Sequence, residues 1–217
     1  MKKSAARAPE IKLHRAPVRI THWLNLPIMC GMFMSGWGIY NASPLFGFTF
    51  PTALTLGGWL GGSIAWHLAV MWALAANALL YVVWGLFSGH FRRDFLPVTP
   101  RSVLTDVKLA LTLRLEHQLG RYNAVQKAFY LFALLCGLLL ILSGLSIWKP
   151  VQLQYLVALF GGFDRARYVH FFAMSGIGIF VVVHVAMVLM VPSTFLQMIT
   201  GHLSAHARRG LRETNDE

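Results

Sequence analysis

Three long stretches of the chain contain no Asp, Glu, Lys or Arg: residues 20–91, 128–148 and 168–207. A hydrocarbon core of about 30 Å is crossed by about 20 apolar residues in helical form, so each stretch is long enough for at least one crossing. No period-two alternation typical of a membrane barrel is present. The pattern predicts an all-α integral membrane protein, a four-helix bundle with spans at about 18–40, 58–87, 126–148 and 167–191.

Breaks between the predicted helices are marked by Gly, Pro, Asn and Ser, as at residues 41–44 and 97–100. We expect residues 1–217 to form one membrane domain. Its longest connection would be residues 88–125, and residues 192–217 would form a tail. The first span is too long and too late for a simple signal peptide, so we expect it to remain in the mature protein.

The composition supports a membrane location. Hydrophobic residues make up 56% of the chain and charged residues only 12%, whereas a soluble domain has about 25% charged residues. A water-soluble enzyme is therefore disfavoured. Cys30 and Cys136 both fall in apolar spans, where they are expected to pack as small residues, and no CxxCH segment for covalent haem is present.

The positions of the basic residues, which give the chain a net charge of +11, indicate how it is oriented in the membrane. Sixteen of the nineteen Lys and Arg residues fall in the N-terminal arm, in the second connection through the start of the third helix, or in the tail. By the positive-inside rule, both termini and the 88–125 connection are cytoplasmic. The basic residues then face lipid headgroups, and no nucleic-acid partner is expected.

Four of the nine histidines lie in or at the apolar spans: His22, His67, His170 and His184. An ionisable group in a membrane needs a partner, and these helices offer no carboxylate or Lys to supply one. His170 and His184 are 14 residues apart, so one helix face presents both, about 21 Å apart along the axis. With alternating helix directions, His22 falls at the depth of His184 and His67 at the depth of His170.

Two bis-histidine sites at opposite depths are what two b-type haems require, and six-coordinate iron leaves electron transfer as the chemistry. Each histidine taken alone could instead be a hydrogen-bonded packing residue. Zinc fits less well, because the two pairs are too far apart to share one ion and two-ligand zinc sites are poor. The other five histidines lie in polar surroundings and are expected to be solvated: His14, His90, His117, His202 and His206.

Two arginines lie one helical turn before predicted ligands, Arg19 before His22 and Arg167 before His170. Either guanidinium could bind a haem propionate in bidentate fashion, or it could anchor the helix end at the headgroups.

The sequence resembles the cytochrome b subunit of membrane formate dehydrogenase and, more broadly, the di-haem cytochrome b anchors of nickel-iron hydrogenases. The resemblance covers about residues 14–210 and includes the His170–His184 spacing. Its segments are Arg19-Ile-Thr-His22-Trp23, Gly120-Arg-Tyr-Asn-Ala-Val-Gln-Lys127 and Ser143-Gly-Leu-Ser-Ile-Trp-Lys-Pro150.

The resemblance implies that His22 and His184 hold a cytoplasmic-side haem b, and that His67 and His170 hold a periplasmic-side one. It also implies a quinone, ubiquinone or menaquinone, that docks near Asn123. Tyr122, Gln126 and Lys127 would line the same pocket. From chemistry alone, Asn123 could instead cap the third helix.

We therefore expect an electron-transfer subunit of a respiratory oxidoreductase in a bacterial inner membrane. Its expected partners are an iron-sulfur subunit and a catalytic subunit, which could be a formate dehydrogenase, a hydrogenase or a molybdenum enzyme. Electrons would pass from this periplasmic-side partner to the quinone pool. Two alternatives stay open: the reverse current, in which quinol oxidation feeds a periplasmic reductase, and a haem-free small membrane transporter.

Overall fold

The computed structural model describes residues 15–89, residue 105 and residues 124–202. All the secondary-structure elements in these ranges are helical, which confirms the all-α prediction. They are α1 (Ala16–Ala42), a short 3-10 helix (Thr52–Leu54), α2 (Leu60–Phe87), α3 (Ala124–Trp148), α4 (Gln154–Leu159), α5 (Phe163–Met190) and α6 (Pro192–Thr200).

The four long helices α1, α2, α3 and α5 match the four predicted spans to within two residues, except at the start of α5. That helix begins at Phe163, four residues before the predicted position. Gly162 precedes it with a φ of +119°, a backbone conformation that favours glycine. The turn therefore ends at Gly162, and the charged residues that follow belong to the first turns of α5.

Two short helices were not predicted. α4 lies between α3 and α5. The other is α6, which takes up the first nine residues of the predicted tail, 192–217. Pro192 suits the first turn of a helix, where its missing N–H has no intrahelical partner. Gly201 ends the helix with a left-handed φ of +81°.

The long helices suit a multi-pass membrane protein. Within the described ranges, α2, residues 127–148 of α3, and α5 are both long and apolar enough to cross a membrane. At 27 residues α1 is also long enough. Its polar positions, among them His22, Asn25 and Ser35, lower its hydropathy. It packs beside α2 as the fourth long helix of the bundle.

Close packing is concentrated within two helix pairs, α1 with α2 and α3 with α5. Glycines permit the approach in both pairs. A Cβ added at Gly31 of α1 would lie 3.1 Å from Val70 of α2, and one at Gly176 of α5 would lie 2.9 Å from Sγ of Cys136 in α3. Small residues at such positions let helix backbones come close together. The bundle is therefore built from two tight pairs that face each other.

Arginines tie the two pairs together at both ends. At one end Arg19 of α1 donates hydrogen bonds to the carbonyl oxygens of Met198, at 3.3 Å, and of Ile199, both in α6. At the other end Arg167 of α5 donates to the carbonyl oxygen of Ser43, at 2.5 Å, just after α1. The histidine side chains lie between these two ties.

Candidate cofactor site

The four membrane histidines form two facing pairs. The imidazole of His22 in α1 lies beside that of His184 in α5, with ring centroids 5.8 Å apart. The imidazole of His67 in α2 lies beside that of His170 in α5, with centroids 6.4 Å apart. These are the combinations expected from depth. In both, α5 supplies one ring and the α1–α2 pair supplies the other.

The two pairs lie at opposite ends of the bundle. His170 is near the beginning of α5 and His184 is near its end. At 1.5 Å per residue, the 14 positions between them correspond to about 21 Å along the helix axis. One pair therefore lies toward each membrane surface.

The spacing within each pair suits two imidazoles that share one metal ion. Metal–imidazole bonds are about 2.0 Å long, so two rings that bind one ion from opposite sides have centroids about 6 Å apart. Across the described ranges, His, Cys, Asp and Glu form no group of three or more that could hold a metal. The ion would therefore have to bring its own remaining donors, as iron does in a porphyrin.

Serine hydroxyls contact the second nitrogen of both rings in the His67–His170 pair. Oγ of Ser35 in α1 lies 2.9 Å from Nδ1 of His67, and Oγ of Ser143 in α3 lies 3.0 Å from Nδ1 of His170. Both serines are fully buried. The contact fixes how each imidazole is oriented.

The hydroxyl protons of these serines are already engaged. Ser35 donates to the carbonyl oxygen of Gly31 at 2.6 Å, and Ser143 donates to that of Leu139 at 2.5 Å. Each Oγ is then left to accept a hydrogen bond from the Nδ1–H of its histidine. This arrangement favours the tautomer whose Nε2 carries no proton and can bind a metal.

A glycine follows each of these serines and gives the imidazole room. A Cβ added at Gly36 would lie 3.5 Å from Cε1 of His67, and one at Gly144 would lie 3.2 Å from Cε1 of His170. The histidine edge therefore lies against the backbone of the facing helix.

Aromatic rings surround the His22–His184 pair. Trp23 meets His22 edge-on with ring centroids 5.4 Å apart, and Phe180 stacks on His184 at 5.9 Å and 15°. Both histidines are half-buried. Flat apolar side chains beside imidazole nitrogens are suited to a large planar cofactor.

The predicted propionate ligands lie at the two ends of the bundle but are engaged elsewhere. Arg19 binds carbonyl oxygens of α6. Arg167 binds Ser43 and lies 3.9 Å from the exposed carboxylate of Asp164. A guanidinium has five donors, so each arginine keeps N–H groups that these contacts do not use. Their binding to propionates stays a prediction.

The predicted quinone residues fall mostly outside the described residues. Tyr122 and Asn123 lie outside the residues that the structure describes, and for Gln126 only the helical backbone is described. Lys127 lies in the first turn of α3 and is half-buried.

Ser35 and Ser143 are the site residues that the sequence interpretation missed. A signal was present, because each is followed by glycine on a helix that faces a histidine-bearing helix. A Ser-Gly pair in an apolar helix is common enough at helix contacts that it does not by itself point to a cofactor.

An all-helical membrane bundle with two facing histidine pairs is the architecture of a membrane-bound b-type cytochrome. The sequence profile of the prokaryotic cytochrome b561 family matches residues 13–201, and the chain belongs to that family. It is therefore a haem b-binding, multi-pass protein of the bacterial inner membrane. The resemblance seen in the sequence is confirmed, and a haem-free transporter is no longer supported.

A relative from Azospira oryzae is 48% identical over 191 residues, which cover 88% of this chain and 96% of the relative. That protein is named as a protein-methionine-sulfoxide reductase subunit, YedZ1. Its name places it in an oxidoreductase assembly. The chain described here is accordingly similar, over 88% of its length, to a protein named as a subunit of an oxidoreductase.

Proposed function

We propose that this chain is a di-haem cytochrome b that carries electrons across the inner membrane between the quinone pool and an oxidoreductase on the periplasmic side. The observation that carries the proposal is the pair of facing imidazoles at each end of α5, 5.8 Å and 6.4 Å between centroids. Two separate one-metal sites on one membrane-spanning helix are suited to moving electrons from one surface to the other.

The protein's own residues would hold each haem by its axial positions. His22 and His184 would hold one, and His67 and His170 the other. Haem iron with two imidazole ligands supplies one-electron transfer and has no open position for oxygen or a substrate. The buried serines keep two of these imidazoles oriented, and the surrounding apolar side chains limit access of water.

The quinone would bind at the His22–His184 end, near Asn123. The start of α3 lies at this end, because Tyr130, one turn after Lys127, contacts Phe180, and Phe180 stacks on His184. Asn123, Tyr122 and Gln126 would offer hydrogen bonds to quinone oxygens. Lys127 would place a positive charge and exchangeable protons nearby.

The relative's name favours electron flow from the quinone pool outward to the periplasmic partner. A reductase consumes electrons, so a partner of that class would be fed by quinol oxidation at the Asn123 end. We therefore propose a periplasmic reductase of oxidised methionine residues in proteins as the catalytic partner, rather than a formate dehydrogenase or a hydrogenase. The basic N-terminal arm and tail would lie in the cytoplasm, which leaves the His67–His170 end facing that partner.

The test uses the purified full-length protein in lipid nanodiscs under anaerobic conditions. Addition of a short-chain quinol is expected to produce the reduced b-type spectrum. Asn123→Ala is expected to slow this reduction at least tenfold while dithionite still reduces the same amount of haem. Tyr155→Phe, at an exposed tyrosine of α4, is the control and is expected to behave as the wild type. Equal quinol reduction in Asn123→Ala would overturn the quinone assignment.

The partner and the direction are tested separately. A purified reductase of protein methionine sulfoxide is added to the quinol-reduced protein together with a peptide that contains methionine sulfoxide. Reoxidation of the haem signal only when both are present is the expected result. Reduction of the haem by the partner with its own substrate would instead establish the inward current.

A further inference from the structure

The same side-chain arrangement occurs twice in the His67–His170 site, once from each helix pair. In α1 the sequence is Ser35-Gly36, and in α3 it is Ser143-Gly144. Each serine contacts Nδ1 of a histidine on the helix packed beside it, and each glycine lies under Cε1 of the same ring. We refer to these two dipeptides as the Ser-Gly cradles.

We propose that the two Ser-Gly cradles are positioning devices that fix the tautomer and ring orientation of His67 and His170, and thereby set the reduction potential of the haem held between them. The inference rests on the proposed function, since it requires haem at this site. It adds residues and a role that the ligand assignment alone does not contain.

The hydrogen-bond chain supports this role. Each serine hydroxyl donates to a carbonyl oxygen four residues earlier in its own helix, at 2.6 Å and 2.5 Å. Its oxygen therefore accepts from Nδ1–H and does not compete as a donor. A ligand histidine whose distal N–H is hydrogen-bonded becomes a more basic ligand and is held in one orientation.

Burial prevents water from taking the place of the serine hydroxyls. Ser35 and Ser143 are both fully inaccessible to solvent, so water cannot replace a lost hydroxyl without a rearrangement of the helix contact. Without the serine, the buried ring of His67 would keep, among the described residues, only the backbone of Met32 as a partner, and that of His170 only the backbone of Leu140. Loss of the better acceptor in such a place is costly. Each contact involves one histidine of the pair, and the two cradles act on the same metal site from both sides.

The cradles are expected to change the reduction potential of this haem in a definite direction. A more basic imidazole stabilises ferric iron relative to ferrous iron, so the cradles lower the potential of this haem. Removal of either hydroxyl is expected to raise it. The haem held by His22 and His184 is contacted by neither serine and should keep its potential.

The experiment is a potentiometric titration of the α-band of full-length protein in nanodiscs, combined with low-temperature EPR of the ferric state. We expect Ser35→Ala and Ser143→Ala each to raise the midpoint of one of two components and to shift the g-values of one low-spin signal. Ser35→Thr and Ser143→Thr, which keep the hydroxyl, are expected to restore most of the wild-type values.

Ser146→Ala is the matched control. Ser146 is fully buried on the same helix as Ser143, and its hydroxyl donates to the carbonyl oxygen of Ser143 at 2.8 Å. It should leave both components unchanged. Unchanged midpoints and g-values in Ser35→Ala and Ser143→Ala, with two haems still bound, would overturn the proposal while leaving the di-haem assignment intact. Absence of haem from the wild-type protein would overturn the proposed function itself, and the cradle proposal with it.

Discussion

His22 and His184 lie near opposite ends of the chain, yet their imidazole centroids are 5.8 Å apart. The relationship joins the first long helix to the last, and it exists only when α1 and α5 run in opposite directions. His67 and His170, both near the beginnings of their helices, meet at the other end because α2 and α5 run in the same direction. The bundle topology and the two histidine pairs therefore depend on each other.

Replacement of Gly144 should disturb the His67–His170 site more than replacement of Gly36. In Gly144→Ala the new methyl group would lie 3.2 Å from Cε1 of His170, closer than ordinary contact, whereas in Gly36→Ala it would lie 3.5 Å from Cε1 of His67. We expect Gly144→Ala to lose haem from one site or to shift its ferric EPR signal, and Gly36→Ala to change little. Gly137→Ala, with open space around the added carbon, is the control. An equal effect of Gly36→Ala and Gly144→Ala would contradict the steric account.

Asn77 is expected to hold α1 and α2 together through polar contacts inside the membrane. Its amide nitrogen donates to the carbonyl oxygen of Thr21 and to Oδ1 of Asn25, both at 2.8 Å, and the residue is 4% exposed. Asn77→Leu should lower the free energy of unfolding by roughly 1 kcal/mol, the scale measured for interhelical hydrogen bonds in membranes. Asn77→Asp should cost more, because a buried carboxylate in a membrane costs about 2.5 to 3.5 kcal/mol on insertion scales.

Unfolding in mixed detergent micelles, followed by circular dichroism, measures both Asn77 variants. Leu79→Ala, at a side chain 64% exposed on the same helix, is the control for general loss of helix stability. A larger loss in Asn77→Leu than in Asn77→Asp would mean that packing volume, and not polarity, matters at this position.

The arginine tie between α1 and α6 should govern the stability of α6. Arg19→Ala removes the hydrogen bonds to the carbonyl oxygens of Met198 and Ile199, and Trp23 still donates to Met198 at 3.2 Å. Because the contact is partly solvated, we expect a loss of about 1 kcal/mol, or roughly fivefold faster amide exchange across residues 192–200. Arg19→Lys should recover only part of it, since an ammonium lacks the planar fork that spans two carbonyls.

Hydrogen exchange with mass spectrometry reads this effect directly. Arg167→Ala is the matched control, because it removes a similar arginine–carbonyl contact at Ser43, at the other end of the bundle. It should leave exchange in α6 unchanged. Faster exchange of α6 in Arg167→Ala but not in Arg19→Ala would refute the assignment of the two ties.

The sequence predicted the long helices well because hydropathy follows directly from the need to bury apolar side chains in lipid. It failed at the start of α5, where Asp164, Arg165 and Arg167 end the apolar run. Charged side chains mark the membrane surface, but they do not interrupt backbone hydrogen bonding, so the helix begins earlier, at Phe163. Helix α6 was missed for a related reason, since nine residues lying at the end of the bundle give no spanning signal.

The histidine pairs were predictable because helical periodicity and alternating direction fix both face and depth. The serine contacts were not. The hydroxyl of a serine in an apolar helix usually donates a hydrogen bond to the carbonyl oxygen one turn earlier, and those of Ser35 and Ser143 do so too. Which imidazole lies next to the remaining lone pair depends on the rotation of one helix against another, and a sequence does not state that rotation.

The most direct test of the account is the ratio of haem b to protein in double histidine variants of the full-length chain. The wild type should bind about two haems per chain. The double variant that loses both histidines of one pair, His22→Ala with His184→Ala, should retain about one haem. The double variant that loses one histidine from each pair, His22→Ala with His67→Ala, should retain essentially none. Retention of one haem in the second combination, or loss of both in the first, would contradict two independent bis-histidine sites.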